Sequence, residues 1–231
     1  MFTLRKHWYG IREGGKTAFR IAYLNVNGVP DPQANIDLTP LEYEGAIPLG
    51  IIKLNDVVIK RILYGIEQIE ITEIPPKISG TKWGAINTAR GNSWNNPESL
   101  PDVLQQLTQQ TEQLLKVIFP REVLDGDICF NDFSLRKYPP GEREGFSISP
   151  HRAEEKYINV IVIWVLKGYS SFYVCADREG NKSKLIDTCV GQLIVMRGAN
   201  YAGIKDRPYH YVRQTKSERI TFTLRQTKEG K

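Results

Sequence analysis

The whole imidazole complement of this 231-residue chain is His7, His151 and His210, so a centre that needs several ring nitrogens has almost no choice of residues. His151 follows Pro150 at the end of one β-rich segment, and His210 lies inside another, far downstream. Neutral imidazole suits Fe(II), and two histidines with a carboxylate on one face, leaving open positions, form the facial triad of non-heme oxygenases. Two structural histidines, each hydrogen-bonded in a core, would look the same from residue types alone. Arg219 opens the next segment, and its planar fork matches a carboxylate in a bidentate way. His7 sits near the N-terminus, remote from these segments, and receives no metal role. Cys129, Cys175 and Cys189 are odd in number, far apart and without a CxxC, which argues against a disulfide framework or zinc cluster. Reduced, buried thiols are expected.

The elements that would position these residues follow from the periodicity. From Asp127 onward the pattern is that of strands separated by Gly, Pro and Asp/Asn turns, at 127–138, 145–150, 157–166, 171–176, 183–187, 192–197, 208–214 and 218–226. So many short strands in so short a stretch predict a mainly β, α+β fold built on a double-sheet jelly roll or barrel. Such a roll brings the second and seventh segments side by side, so both rings can face one interior point. The apolar run at 157–166, with Trp164, reads as a buried strand.

Residues 1–126 read as an N-terminal α/β support and substrate-lid region, and 127–231 as the catalytic core of one compact domain. One helix is predicted after Asn55 through Val57, Val58, Ile62, Leu63 and Ile66. A second is predicted over 101–119, with Leu104, Leu107, Thr111, Leu114, Leu115 and Ile118 on one face and Pro120 ending it. Both helices are expected to cover one sheet. Turn clusters fall at 27–30 and 74–76, and 79–96 reads as a loop, with Trp83 and Trp94, closing over the mouth.

Composition narrows the function classes. At 41% hydrophobic and 25% charged, the chain is neither disordered nor collagenous. Its formal charge of +5 is dispersed, which permits an anionic ligand without requiring one. A compact basic patch and aromatic–basic interleaving are both missing, so nucleic acid is not an expected partner. The polar N-terminus lacks a signal-like apolar stretch, and the longest apolar run is half of what a bilayer needs, so a cytoplasmic protein without a membrane partner is expected.

Four runs of residues carry a resemblance: LRKYPPG at 135–141, SPHRAEE at 149–155, RPYH at 207–210 and ERITFTLR at 218–225. In order, spacing and placement on strands they resemble the Fe(II)/2-oxoglutarate-dependent oxygenases, whose core is a double-stranded β-helix (a cupin-like jelly roll). The resemblance spans roughly 127–226. It implies Fe(II), 2-oxoglutarate and O2 as cofactors, with His151 and His210 binding the metal. Arg219, nine positions after the distal histidine, would hold the far carboxylate of 2-oxoglutarate, helped by the Tyr138 hydroxyl. Arg225 completes the RxxxxxR spacing of the nucleic-acid demethylase branch and becomes a further cosubstrate candidate. Asn131 and Asp132, on the strand beside the site, are substrate candidates, although alternation could place one of them outside. Arg152, with Arg197 and Arg207, would either draw an anion such as phosphate or carboxylate to the mouth or form a salt-bridged rim.

One position departs from the pattern. The HxD of the family is His151-Arg152-Ala153 here, and a methyl group cannot ligate iron. In the halogenase branch Ala or Gly stands at this position and chloride takes the coordination site. Alternatively Glu154 or Glu155 supplies the carboxylate, or Ala153 marks an inactive or altered hydroxylase, natural or engineered. The leading expectation is oxidative C–H functionalisation of a small molecule, with halogenation ahead of hydroxylation. A non-catalytic 2-oxoglutarate-binding module is the alternative from another class, and a nucleic-acid demethylase is the weaker one.

Overall fold

The computed structural model describes residues 36–54, 56–74, 77–81, 84–88, 91–94, 100–140, 146–169, 171–213 and 217–228. The helices are α1 (Thr39–Tyr43), α2 (Asp56–Glu67) and α3 (Asp102–Ile118). The strands of the N-terminal half are β1 (Ala46–Lys53), β2 (Thr72–Ile74), β3 (Lys77–Thr81), β4 (Gly84–Thr88) and β5 (Gly91–Trp94). Those that follow are β6 (Asp132–Tyr138), β7 (Phe146–His151), β8 (Tyr157–Lys167), β9 (Phe172–Cys175), β10 (Lys184–Ile186), β11 (Gln192–Arg197), β12 (Tyr209–Arg213) and β13 (Arg219–Thr227). Seven strands form one sheet in the order β1-β11-β8-β13-β6-β5-β2, and six form another in the order β10-β9-β12-β7-β4-β3.

Period-two alternation gives the seven-stranded sheet two distinct faces. Val160, Val162, Trp164 and Leu166 of β8, Leu193 and Val195 of β11, and Ile220, Phe222 and Leu224 of β13 point outward, where α2 and α3 cover them. The intervening Ile161, Ile194 and Met196 point inward and meet Phe172, Val174 and Val212 of the other sheet. That second, smaller cluster leaves room for a cavity between the sheets. The near-continuous apolar run of β8 is explained by this burial on both faces.

The eight strands expected from the sequence are all present, the first starting later than expected, at Asp132. The 79–96 segment, expected as a loop, instead contributes β3, β4 and β5, and Trp94 is a core residue at 8% exposure. These strands and β1 are short or interrupted by Gly and Pro, which weakens their signal, and strands from both sides of residue 126 share each sheet. In α2 the buried stripe is Ile59, Ile62 and Ile66, whereas Val57 is 76% exposed; it lies more than a quarter-turn away from that stripe. The three cysteines are free as expected, but Cys129 and Cys189 are exposed. Cys129 lies between Ile128 and Phe130, both buried, so alternation turns it outward. His7, Trp83 and the 27–30 turn fall outside the described residues.

Helix α3 is tied to the sheet by one polar contact inside the core. The Trp164 indole N–H donates to Thr111 Oγ1 at 3.0 Å, and that hydroxyl donates to Leu107 O at 2.6 Å. Thr111→Val keeps the shape and leaves the indole donor unsatisfied, so it should cost about 1–3 kcal/mol. Urea unfolding of the two proteins, with unchanged denaturant slope, checks this.

Candidate active site

β7 and β12 are antiparallel neighbours, and their register sets His151 directly opposite His210. The ring centroids lie 4.3 Å apart with the planes at 50°. His151 Nδ1 is 2.8 Å from Ser149 O, and His210 Nδ1 is 3.3 Å from Pro208 O. A proton on each Nδ1, donated to these carbonyls, assigns the tautomer that leaves each Nε2 lone pair free for a metal. Burial keeps both rings neutral. It is the main cause that lowers His151 to about 4, assisted by the positive charges of Arg136 and Arg178 and opposed by the Ser149 hydrogen bond. His210 is held well below its ordinary value by burial and then by His151 beside it.

The rings border a cavity of about 660 Å3 between the sheets. Its opposite wall is the inner face of β6 and β13, where Tyr138 pairs with Arg219, Arg136 with Thr221 and Ser134 with Thr223. Arg219 is 2% exposed, yet its Nε and Nη2 have no hydrogen-bond partner among the described residues. Burial pushes it down to about 10, against a smaller opposing effect of Tyr138, so it is still a cation at neutral pH. The neighbouring acid, Glu218, is spent on Lys137 at 2.9 Å and Lys167 at 2.7 Å. Gly168, at φ +73, lets the backbone of Glu218 and Arg219 approach so closely that any Cβ there would overlap the Glu218 carbonyl oxygen. A buried guanidinium with spare donors is costly unless an anion completes it, and a carboxylate matches its fork.

No protein-family model and no curated protein matches the sequence. In structure the chain is similar to a Pseudomonas putida prolyl-4-hydroxylase (14% identity, 84% of this chain and 97% of that one covered, TM-score 0.52). It is also similar to a prolyl hydroxylase from Trichoplax adhaerens solved with a hypoxia inducible factor peptide fragment (13% identity, 83% and 87% covered, TM-score 0.58). A third similar structure is an oxidoreductase of the 2OG-Fe(II) oxygenase family from Burkholderia pseudomallei (14% identity, 94% and 92% covered, TM-score 0.51). The fold is the double-stranded β-helix.

On this double-stranded β-helix the two histidine-bearing segments are clamped together. The Arg207 guanidinium donates to the backbone carbonyl of Ala153 and reaches Glu155 Oε1 at 3.3 Å. Arg152 pairs with Asp206 at 2.8 Å, and its guanidinium lies 4.3 Å from the centroid of the Tyr209 ring. Arg197, expected at the mouth, instead donates to Glu42 O and Asp206 O and is buried. Of the two readings for these arginines, the paired rim describes Arg152 and Arg207.

The carboxylates near Ala153 line the same cavity and are each engaged with a cation. Glu154 is 68% exposed and pairs with Lys156 at 3.3 Å, while Glu155 faces Arg207. Among the described residues no group of three or more His, Cys, Asp or Glu is placed to hold a metal. Asn131 is a structural residue and does not line the cavity: its amide is used up on Thr227, accepting from Thr227 N–H at 2.8 Å and donating to Thr227 O at 3.2 Å. Asp132 pairs with Arg225 at 2.7 Å and accepts from the Tyr157 hydroxyl at 3.2 Å. Arg225 lines the cavity too, but six residues along β13 from Arg219, roughly 20 Å at strand spacing. Sequence reading missed Arg136 and Arg178, both cavity-lining. The spacing of two between Arg136 and Tyr138 was the available signal for the first.

The neutral rings have a consequence for acid stability. Unfolded histidine titrates near 6.5 and native His151 near 4, so between those values the unfolded state binds the extra proton. The contribution is complete above about pH 6.5 and is lost as pH falls toward 4. In metal-free protein the melting temperature should drop across this window, and His151→Gln should flatten the drop; scanning calorimetry in chelator reads both.

Proposed function

We propose that the chain is an Fe(II)- and 2-oxoglutarate-dependent enzyme that oxidises a C–H bond of a small molecule, with halogenation as its reaction. The observation that carries this reading is Arg219, a buried guanidinium with two unpartnered nitrogens in the cavity that the paired His151 and His210 border. The donor set fits the cofactors: two neutral Nε2 atoms suit Fe(II), and Arg219 suits the distal carboxylate of the cosubstrate.

When bound, iron with 2-oxoglutarate and O2 supplies an oxidant able to break an unactivated C–H bond, the cosubstrate leaving as succinate and CO2. His151 and His210 hold the metal, their rings fixed by the carbonyls of Ser149 and Pro208. Arg219 orients the cosubstrate, with the Tyr138 ring beside it at 5.8 Å. The Tyr138 hydroxyl is the second donor for that carboxylate. Apolar side chains on the inner faces, Ile161, Phe172 and Met196 among them, limit water at the reacting centre.

Ala153 favours halogenation because it offers no donor atom and takes little space. Chloride carries the same single negative charge as the carboxylate that the family's aspartate would bring. The cavity wall suits an anion, since Lys and Arg outnumber Asp and Glu among the described residues that line it. The second reading, hydroxylation, is favoured by the prolyl hydroxylases among the similar structures.

Anaerobic titration with Fe(II) and 2-oxoglutarate tests the reading: a visible charge-transfer band should appear, and admitting O2 should release succinate. Tight 2-oxoglutarate binding without succinate would favour the binding module, and no binding of either would defeat the proposal. Arg219→Gln should weaken 2-oxoglutarate by about a hundredfold, the loss of two charge-assisted hydrogen bonds. Arg225→Gln, removing a guanidinium already paired with Asp132, should change it less than about threefold.

Chloride should perturb the band of the wild-type complex and leave that of Ala153→Asp unchanged. A wild-type spectrum indifferent to chloride, with hydroxylation switched on in Ala153→Asp, would instead support an altered hydroxylase.

A further inference from the structure

Among the described residues, seven Lys and Arg side chains line the cavity against two Glu. Four of the cations have a carboxylate partner: Arg152 with Asp206, Lys156 with Glu154, Arg207 with Glu155 and Arg225 with Asp132. Arg219 is accounted for by the dicarboxylate cosubstrate. Arg136 and Arg178 remain, and neither side chain has an ion pair or hydrogen bond to a described residue; the Nε of Arg178 is buried and unpartnered.

These two arginines come from opposite walls. Arg136 projects from the inner face of β6, opposite Thr221 and two residues before Tyr138. Arg178 sits in the turn between β9 and β10, which is fixed by its own hydrogen bonds. Asn181 N–H donates to Asp177 Oδ1 at 2.9 Å, and Asn181 Nδ2 donates to Asp177 Oδ2 at 2.8 Å. Gly180 of this turn lies near Pro150, the residue before His151, so that a Cβ there would come within 3.6 Å of the proline ring. Both guanidinia lie close enough to His151 for their charge to depress its basicity. Two like charges facing one cavity repel, and an anion between them removes that cost while accepting from both forks.

We propose that Arg136 and Arg178 are the anion-binding part of the substrate site, holding a carboxylate or phosphate of a small substrate beside His151. This rests on the reading of the cavity as an oxidation site. The hydrocarbon part of such a substrate meets Ile86, Ile148 and Val212, which line the same cavity. The substrate is therefore an amphipathic anion, placed with its charged end fixed and its C–H bonds near the histidine pair.

The test uses the full chain loaded with Zn(II) and saturating 2-oxoglutarate, so that Arg219 is occupied. Inorganic phosphate and, separately, acetate are titrated in, and the arginine Nε–Hε resonances are followed by NMR. Stronger binding of phosphate points to a phosphorylated substrate, and stronger binding of acetate to a carboxylate. Arg136→Gln and Arg178→Gln should each weaken the preferred anion about tenfold, leaving 2-oxoglutarate affinity within about twofold, and the Lys variants should recover part of the loss. Anion affinities indifferent to both substitutions, or anion binding abolished by saturating 2-oxoglutarate, overturn the proposal.

The same titration on metal-free protein separates the two readings. A chain that takes up neither metal nor 2-oxoglutarate, but binds phosphate through Arg136 and Arg178, keeps the anion site and loses the enzyme. A chain that takes up both while phosphate ignores the two substitutions loses the anion site alone.

Discussion

Two imidazoles can serve one metal only if their strands are neighbours and the register between them is fixed to the residue, because a slip of one position turns a side chain to the other face of the sheet. The pairing of β7 with β12 meets that condition, with His151 opposite His210. Much of the surrounding structure can be understood as holding that register. Phe172 stacks on His210 at 5.7 Å, the clamp of Arg152 and Arg207 joins the flanking segments, and the inner apolar cluster packs beneath. The opposite wall obeys the same alternation. Along β13 the residues facing the cavity are Arg219, Thr221, Thr223 and Arg225, and those facing the helices are Ile220, Phe222 and Leu224. One strand therefore carries both the core that stabilises the fold and the guanidinium that gives the cavity its chemistry.

The electrostatics of the cavity are lopsided by construction. The histidines are kept neutral by burial, whereas Arg219 stays charged despite it, since even a strongly lowered guanidinium remains protonated at neutral pH. Neutral nitrogen donors next to guanidinium groups without a carboxylate partner among the described residues make a place of net positive charge. Ligands that arrive with negative charge suit such a place better than side chains that must be carried into it.

The β6–β13 half of the fold was legible in the sequence because its strands alternate and are bounded by turn residues. The five strands before it were less so. Pro48 and Gly50 interrupt β1, and β2 to β5 are short, with glycines in three of them, so neither period two nor strand length marks them. In the site, His151, His210 and Arg219 were legible as rare or well-spaced residues at strand ends. The clamp was not: Arg152, Asp206, Arg207 and Glu155 look like ordinary surface charges until the fold brings distant segments together. The face of Asn131 was left open in the sequence for a related reason, since which face a residue takes near a strand's first position depends on where the strand begins, and β6 begins at Asp132. Cys129 shows the same limit, an apolar-looking stretch concealing an outward position.

Arg207 grips Ala153 by its backbone carbonyl and not by its side chain. The loop conformation is thus set by a group that every residue possesses, so the side chain at 153 is a replaceable part in a fixed socket. A substitution at 153 can therefore change what this stretch of the cavity wall presents while the contact that sets the loop, made to the main chain, stays in place.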